Sequence, residues 1–274
     1  MKTLLKIFLV CLLCITLTHL FGCKQKPQSQ QSDANSDETE AGSKPAVERI
    51  LTGPKAWAAG CSAILMERNH EQHSTLATRQ RTPRKIKSVK ELLDNYWDVK
   101  SKKDLLEKLS WLETGGQREQ FDKTVLMVMP LNDEQFRTIA AQTRNHDDLL
   151  KLQVARKYGK ALGKKSILGW DYCRYIAVCR WGYTAGFISE DEAWAKIMPA
   201  ARVLQKNFDS WEDLACNFLI GRQFWSYQET LKSGPDIEDA TQRLLDMPSS
   251  PWNKYPWDLN LGNDKDVNDA NNKK

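Results

Sequence analysis

Apolar and polar positions alternate with a helical period over almost all of residues 46–262. "PKAWAAGCSAILMER" (54–68) sets Trp57, Cys61, Ile64 and Leu65 on one side of a first helix. "SVKELLDNYW" (88–97) and "SKKDLLEKLSWLETGG" (101–116) predict a helical pair, with Ser88 and Ser101 as N-caps, Asp104 at the capping-box position and Gly115 as a stop. "TVLMVM" (124–129) is the one run with strand character. One short strand makes no sheet, so it reads as a helix end or a buried connector. Asn132 opens "DEQFRTIAAQTR", and "HDDLLKLQVARKYGKAL" (146–162) continues the series. Ser166 opens a helix that closes near Gly186. Ser189 to Glu192 form a capping box for a helix reaching Phe208, in which Pro199 predicts a kink. Ser210 opens a helix through Leu231, and Pro235 stands in the first turn of a last one, 235–246. The pattern predicts an all-α fold, a single compact bundle of about eight helices without internal repeats.

The stretch "LGWDYCRYIAVCRWGYTAG" (168–186) is apolar nearly all round and so belongs at the centre, yet it contains Asp171, Arg174 and Arg180. On a helical wheel Arg174 falls among Trp170, Ala177, Val178 and Trp181. Arg222 falls likewise among Trp211, Leu214, Phe218 and Trp225. Glu190 lies on the stripe of Trp194, Ile197, Ala201 and Leu204, whereas Glu192 points away as the capping partner of Ser189. A buried guanidinium keeps its proton and must find anions or several acceptors. The expectation is therefore one partly buried polar cluster of Asp171, Arg174, Arg180, Glu190 and Arg222, walled by Trp170, Trp181, Trp211 and Trp225. Such a cluster suits a network that fixes helix register, or a site for a polar or anionic ligand.

The ends of the chain differ from this middle. Lys2 and Lys6 precede the apolar run "IFLVCLLCITLTHLF", which is short for a membrane span of roughly 20 residues. Residues 1–22 therefore read as a signal peptide. The junction Leu20-Phe21-Gly22-Cys23 resembles the lipobox of bacterial lipoproteins, with Phe21 in place of the usual small residue, and the resemblance implies a lipid on Cys23. Residues 24–45 contain no aromatic and almost nothing apolar, so 23–45 is expected to be a lipidated flexible tether. Lys24, where an Asp would signal inner-membrane retention, favours an outer-membrane destination facing the periplasm in a Gram-negative host. Residues 263–274, rich in Asn, Asp and Lys, are expected to be a disordered tail.

Charge and residue chemistry narrow the function classes. The net charge of +5 falls to +3 once Lys2 and Lys6 are set aside, too mild to point to nucleic acid. Six cations and no acid lie in 79–90, "RQRTPRKIKSVK", which reads as a solvated basic connector or, as the alternative, a contact for anionic lipid headgroups. Cys173 and Cys179 stand about 240° apart on one helix and cannot bridge while it stays helical; with Cys61 and Cys216 they fit no zinc spacing and read as small buried hydrophobes. "HEQH" (70–73) is not a zincin motif, and there is no P-loop, nucleophile elbow or dinucleotide fingerprint. No metal and no cofactor is expected.

A multi-part pattern also carries a family resemblance: Trp170-Asp171, Arg174, Arg180-Trp181-Gly182, Gly186-Phe187, Glu192-Ala193-Trp194, Ser210-Trp211, Gly221-Arg222 and Phe224-Trp225. It resembles the bacterial family known as domain of unknown function 1266, over roughly residues 55–245. Asp98 stands where that family usually has Gly, and Gln117 where it usually has His. The resemblance implies a domain without an assigned activity. The combined expectation is a cell-envelope lipoprotein, held to the membrane through Cys23, whose helical domain binds an envelope protein partner or a small anionic ligand. The alternative is an envelope hydrolase or transferase that uses the Asp/Arg/Glu cluster on an anionic substrate.

Overall fold

A helix without a polar face must lie where other helices can cover every side of it. In the computed structural model, which describes residues 48–262, Leu168–Thr184 does so: every residue of it except Leu168 and Tyr172 is buried. The described residues form the helices α1 (Gly53–Gly60), α2 (Ala63–Arg68), α3 (Pro83–Trp97), α4 (Lys102–Thr114), α5 (Arg118–Val128), α6 (Asp133–Gln142), α7 (His146–Leu162), α8 (Leu168–Thr184), α9 (Glu190–Asn207), α10 (Trp211–Trp225), α11 (Tyr227–Asp246) and α12 (Pro251–Lys254). None of the described residues is in a strand, and none of the helices is long and apolar enough to cross a membrane. The expected signal peptide, the lipidation site Cys23, the tether and the tail from 263 lie outside the described residues.

α8 is packed by α9, α10 and α4, with α3 and α2 completing its cover, while α5 lies on α7 and α11 on α2 and α10. Where α8 crosses α10, Gly221 lets the two backbones close up: a Cβ there would stand 2.2 Å from the Cβ of Trp170. Four tryptophans join the two ends of the described chain. Trp57 of α1 and Trp211 of α10 have ring centroids 4.7 Å apart, Trp252 stacks on Trp211 at 5.7 Å, and Trp257 lies 4.9 Å from both Trp57 and Trp211. Each indole N–H donates to a backbone carbonyl: Trp57 to Pro256, Trp211 to Tyr255, Trp252 to Gly60 and Trp257 to Phe208. The cluster thus buries large apolar rings without leaving a polar atom unmatched.

Several helix ends agree with local sequence signals. Ser101, Asn132 and Ser210 cap α4, α6 and α10, and Ser189 with Glu192 makes the full capping box of α9. Others need correction. The first helix divides at Cys61-Ser62, where the Ser62 hydroxyl donates to the Ala59 carbonyl and accepts from Arg180. α3 starts at Pro83, capped by Thr82, so two thirds of the basic connector is helical and Ser88 is an interior residue rather than a cap. Ser166 does not cap α8. It has φ of +51° and donates to Asp122, while Asn217 of α10 takes the Gly169 N–H at 2.7 Å. α10 ends at Trp225, Ser226 starts α11, and Pro235 lies inside α11 rather than at a helix start. The run 124–129 is indeed a helix end, but Leu126 is 75% exposed rather than a buried connector.

Asp98 ends α3 in the left-handed region at φ +54°, a conformation that Asp tolerates better than most side chains.

Two outcomes test this arrangement. Gly221→Ala should destabilise the domain by about 1–3 kcal/mol, because the new methyl meets the root of Trp170 rather than a flexible tip; equilibrium urea unfolding measures it. Glu192 is held well below its unfolded value of 4.5, to about 2, chiefly by the Lys102 ammonium and the Ser189 N–H. A lowered carboxyl contributes stability that is present above the unfolded value and lost as pH falls through the folded one. Midpoints followed from pH 7 to pH 2 should therefore show Glu192→Gln below wild type at neutral pH, with the two converging near pH 2.

Candidate functional site

The carboxylate of Asp171, in the first turn of α8, is fully buried and tightly held. Its Oδ1 accepts from the Gln117 backbone N–H at 3.1 Å and from Arg174 Nη2 at 2.6 Å; its Oδ2 accepts from the Arg118 backbone N–H and from Arg118 Nη1, both at 3.0 Å. A carboxylate offers about four lone-pair directions, and all four are filled here. The two backbone donors belong to the start of α5, where a negative charge also meets the positive end of the helix dipole. The approach is possible because Gly116, at φ +56°, has no side chain: a Cβ there would lie 2.4 Å from Oδ2.

Arg118 does more than neutralise Asp171. It also donates to the carbonyls of Leu112 and Glu113 at the end of α4, so one side chain ties α4, α5 and α8 together. Arg174 lies 4.2 Å from the Trp170 ring, with Trp97 at 5.8 Å and Trp111 at 5.9 Å. Burial pulls its pKa down to about 10, which leaves it charged at neutral pH.

Arg180 is elsewhere. Six residues along α8 from Arg174 is about 240° of rotation, so the two side chains leave the helix on different sides. Arg180 is 0% exposed and gives its donors to Ser62 Oγ and to the carbonyls of Gln72, Thr75 and Leu76. It grips the loop that contains "HEQH". Glu71 in that loop accepts from Trp181 Nε1 at 2.7 Å and Arg79 Nε at 2.8 Å. Burial raises the Glu71 pKa against the pull of those hydrogen bonds and cations.

Arg222 forms a third centre. It donates to the Glu229 carbonyl at 2.7 Å and to Ser233 Oγ at 2.6 Å, lies over Trp225 at 5.1 Å, and has the Glu229 carboxylate at 3.8 Å. It fastens α10 to α11 across the turn at Ser226. Glu190 is in none of these centres; it accepts from Trp194 Nε1 at 3.3 Å at the start of α9.

The five residues expected in one cluster are therefore distributed over four places, and only Asp171 and Arg174 meet. Trp170 walls Arg174 and Trp225 walls Arg222, as the stripes imply. Trp181 is bound to Glu71 and lies 6.1 Å from Trp97, while the ring contacts of Trp211 are all within the tryptophan cluster of the termini. Sequence reasoning missed Arg118, Gly116, Trp97 and Trp111. The pair Gly115-Gly116 directly before Arg118 was the available signal, because two glycines at a helix junction leave room for a foreign side chain. Gln117 contributes through its backbone N–H, so the identity of its side chain is not what that bond requires.

Open space with ionisable groups occurs in a cleft of about 170 Å³ where residues 48–52, the start of α1 and the start of α9 come together. Glu48, Arg49, Lys55 and Glu190 supply its charges, and Leu51 and Leu76 its apolar floor. The Lys55 ammonium lies 4.8 Å over the Trp194 ring, the same indole whose N–H holds Glu190. Behind the cleft Arg81 covers the Tyr183 ring at 4.7 Å. Burial raises the Glu48 pKa; the Arg81 charge and the Ala77 N–H oppose that rise, and the Glu190 carboxylate adds to it.

A family model described as Protein of unknown function (DUF1266) matches residues 92–257. That span contains Arg118, Asp171, Arg174, Arg180, Glu190 and Arg222; Glu48, Lys55 and Arg81 precede it. No curated protein and no solved structure matches the chain.

Asp171→Asn should cost roughly 3–5 kcal/mol of stability, because it leaves two guanidinium groups facing an uncharged amide in a dry interior. Chemical denaturation is the measurement, and a loss below about 1 kcal/mol would contradict the assignment of Asp171 as the tie between α4, α5 and α8.

Proposed function

The chain belongs to the DUF1266 family, and from that premise we propose that it is a cell-envelope lipoprotein whose helical domain is a binding module seated on the 48–55/190 cleft. The anchor is the lipid on Cys23, and the destination is the periplasmic face of the outer membrane where the host is Gram-negative. The sequence supports this through the junction Leu20-Phe21-Gly22-Cys23 and the polar run 24–45, which ends three residues before Glu48. Acyl chains hold such a domain at the bilayer without inserting it.

The observation that carries the binding reading is the contrast between the two kinds of charge. Asp171, Arg174 and Arg180 are committed to fixed protein partners, and the Asp171 carboxylate has no lone pair left for a substrate proton. Glu48, Arg49, Lys55 and Glu190 line open space instead. This favours recognition at the cleft over chemistry at the interior charges.

Two measurements test the reading. Palmitate supplied to growing cells should label the wild-type chain and leave Cys23→Ala unlabelled; equal labelling of both would remove the anchor. Native mass spectrometry after gentle solubilisation should show a retained small ligand on wild type that is depleted on Glu190→Gln, and a bare protein mass for both would remove the binding reading.

A further inference from the structure

We infer that the cleft takes a small zwitterion, a molecule with a primary ammonium at one end and a carboxylate or phosphate at the other. This rests on the binding reading above and names the ligand class for the same site. The volume sets the scale. At about 170 Å³ the cleft is below the roughly 300–1,000 Å³ of drug-sized sites, so its occupant has few heavy atoms.

The charges set the chemistry. Glu48 and Glu190 bring two carboxylates, Arg49 and Lys55 two cations, and the four come from three places in the chain: the adjacent pair 48–49, the first turn of α1 and the start of α9. Among the described residues no ion pair joins any of these cations to either carboxylate. Both signs therefore remain available in one small space. A simple cation would be attracted by the glutamates and repelled by Lys55 and Arg49; a simple anion would meet the reverse. Only a ligand carrying both charges gains from both sets.

Trp194 makes the arrangement a built one. Its ring face holds the Lys55 ammonium and its N–H holds the Glu190 carboxylate, so one rigid indole spaces a cation and an anion. The two sources of such a ligand are a free amino acid and the ethanolamine-phosphate headgroup of a lipid; both present the same pair of charges.

Calorimetric titration of the full-length chain in detergent tests this with glycine, O-phosphoethanolamine, ethylamine, acetate and glucose as probes. At least one of the two zwitterions should bind ten-fold or more tightly than ethylamine or acetate, and Glu190→Gln and Lys55→Met should each weaken it about ten-fold. Both side chains are exposed, so the variants should keep the wild-type thermal midpoint, which is measured alongside. Preference for glycine identifies the amino-acid source, and preference for O-phosphoethanolamine the headgroup source. Ethylamine or acetate binding as tightly as the zwitterions would overturn the inference. Glucose binding that depends on Glu190, with no zwitterion binding, would overturn the ligand class and leave the cleft as a binding site. No binding by any probe would overturn both.

Discussion

Four donors converge on the two oxygens of Asp171, and most of the molecule's order can be traced to that convergence. A carboxylate buried without partners is prohibitively costly, and so are two guanidinium groups. Brought together with the start of α5, each supplies what the others lack. The consequence is positional: α4 cannot end, α5 cannot begin and α8 cannot rotate without breaking a charge-assisted bond. Hydrophobic burial around α8 supplies the drive to collapse, and it is indifferent to rotation because α8 is apolar on every side. The charges select one rotation. That explains why a helix so greasy carries three ionised residues.

Arg180 and Arg222 repeat this logic with backbone carbonyls and a serine hydroxyl in place of most of the counter-charge. Arg180 serves the irregular loop between α2 and α3, whereas Arg222 reaches from α10 to a carbonyl and a hydroxyl inside α11. A guanidinium, with five fixed donors, can serve several acceptors at once. The interior arginines thus staple one segment to another.

How far this was legible in the sequence depended on range. Ser101, Asn132, Ser189 with Glu192, and Ser210 cap helices within three residues of themselves, so their roles could be read directly. The all-α class and the central place of 168–184 followed from periodicity alone. The single polar cluster did not follow. A wheel places Arg174 and Arg222 on apolar stripes, but it gives neither the height at which a long side chain ends nor which neighbour it meets. Arg118 sat unnoticed in a polar stretch because its partner is 53 residues away. Ser88 was mistaken for a cap because the cations around Thr82-Pro83 resemble a solvated linker, although a Thr-Pro pair is itself a helix-start signal. The cleft was invisible for the same reason of distance: Glu190 stands out on its own stripe, but nothing in the sequence joins it to Glu48.

The tryptophan cluster has a temporal meaning. Trp57 donates to a carbonyl 199 residues further along the chain, and its ring is covered by the last turns of the domain. A polypeptide leaving a ribosome or a translocation pore N-terminus first therefore carries α1 as an unfinished surface until nearly everything else has followed. Covering of α1 then waits on contacts of long sequence separation, which are slow to form, and a chain ending before Pro251 would lack the lid of its own first helix.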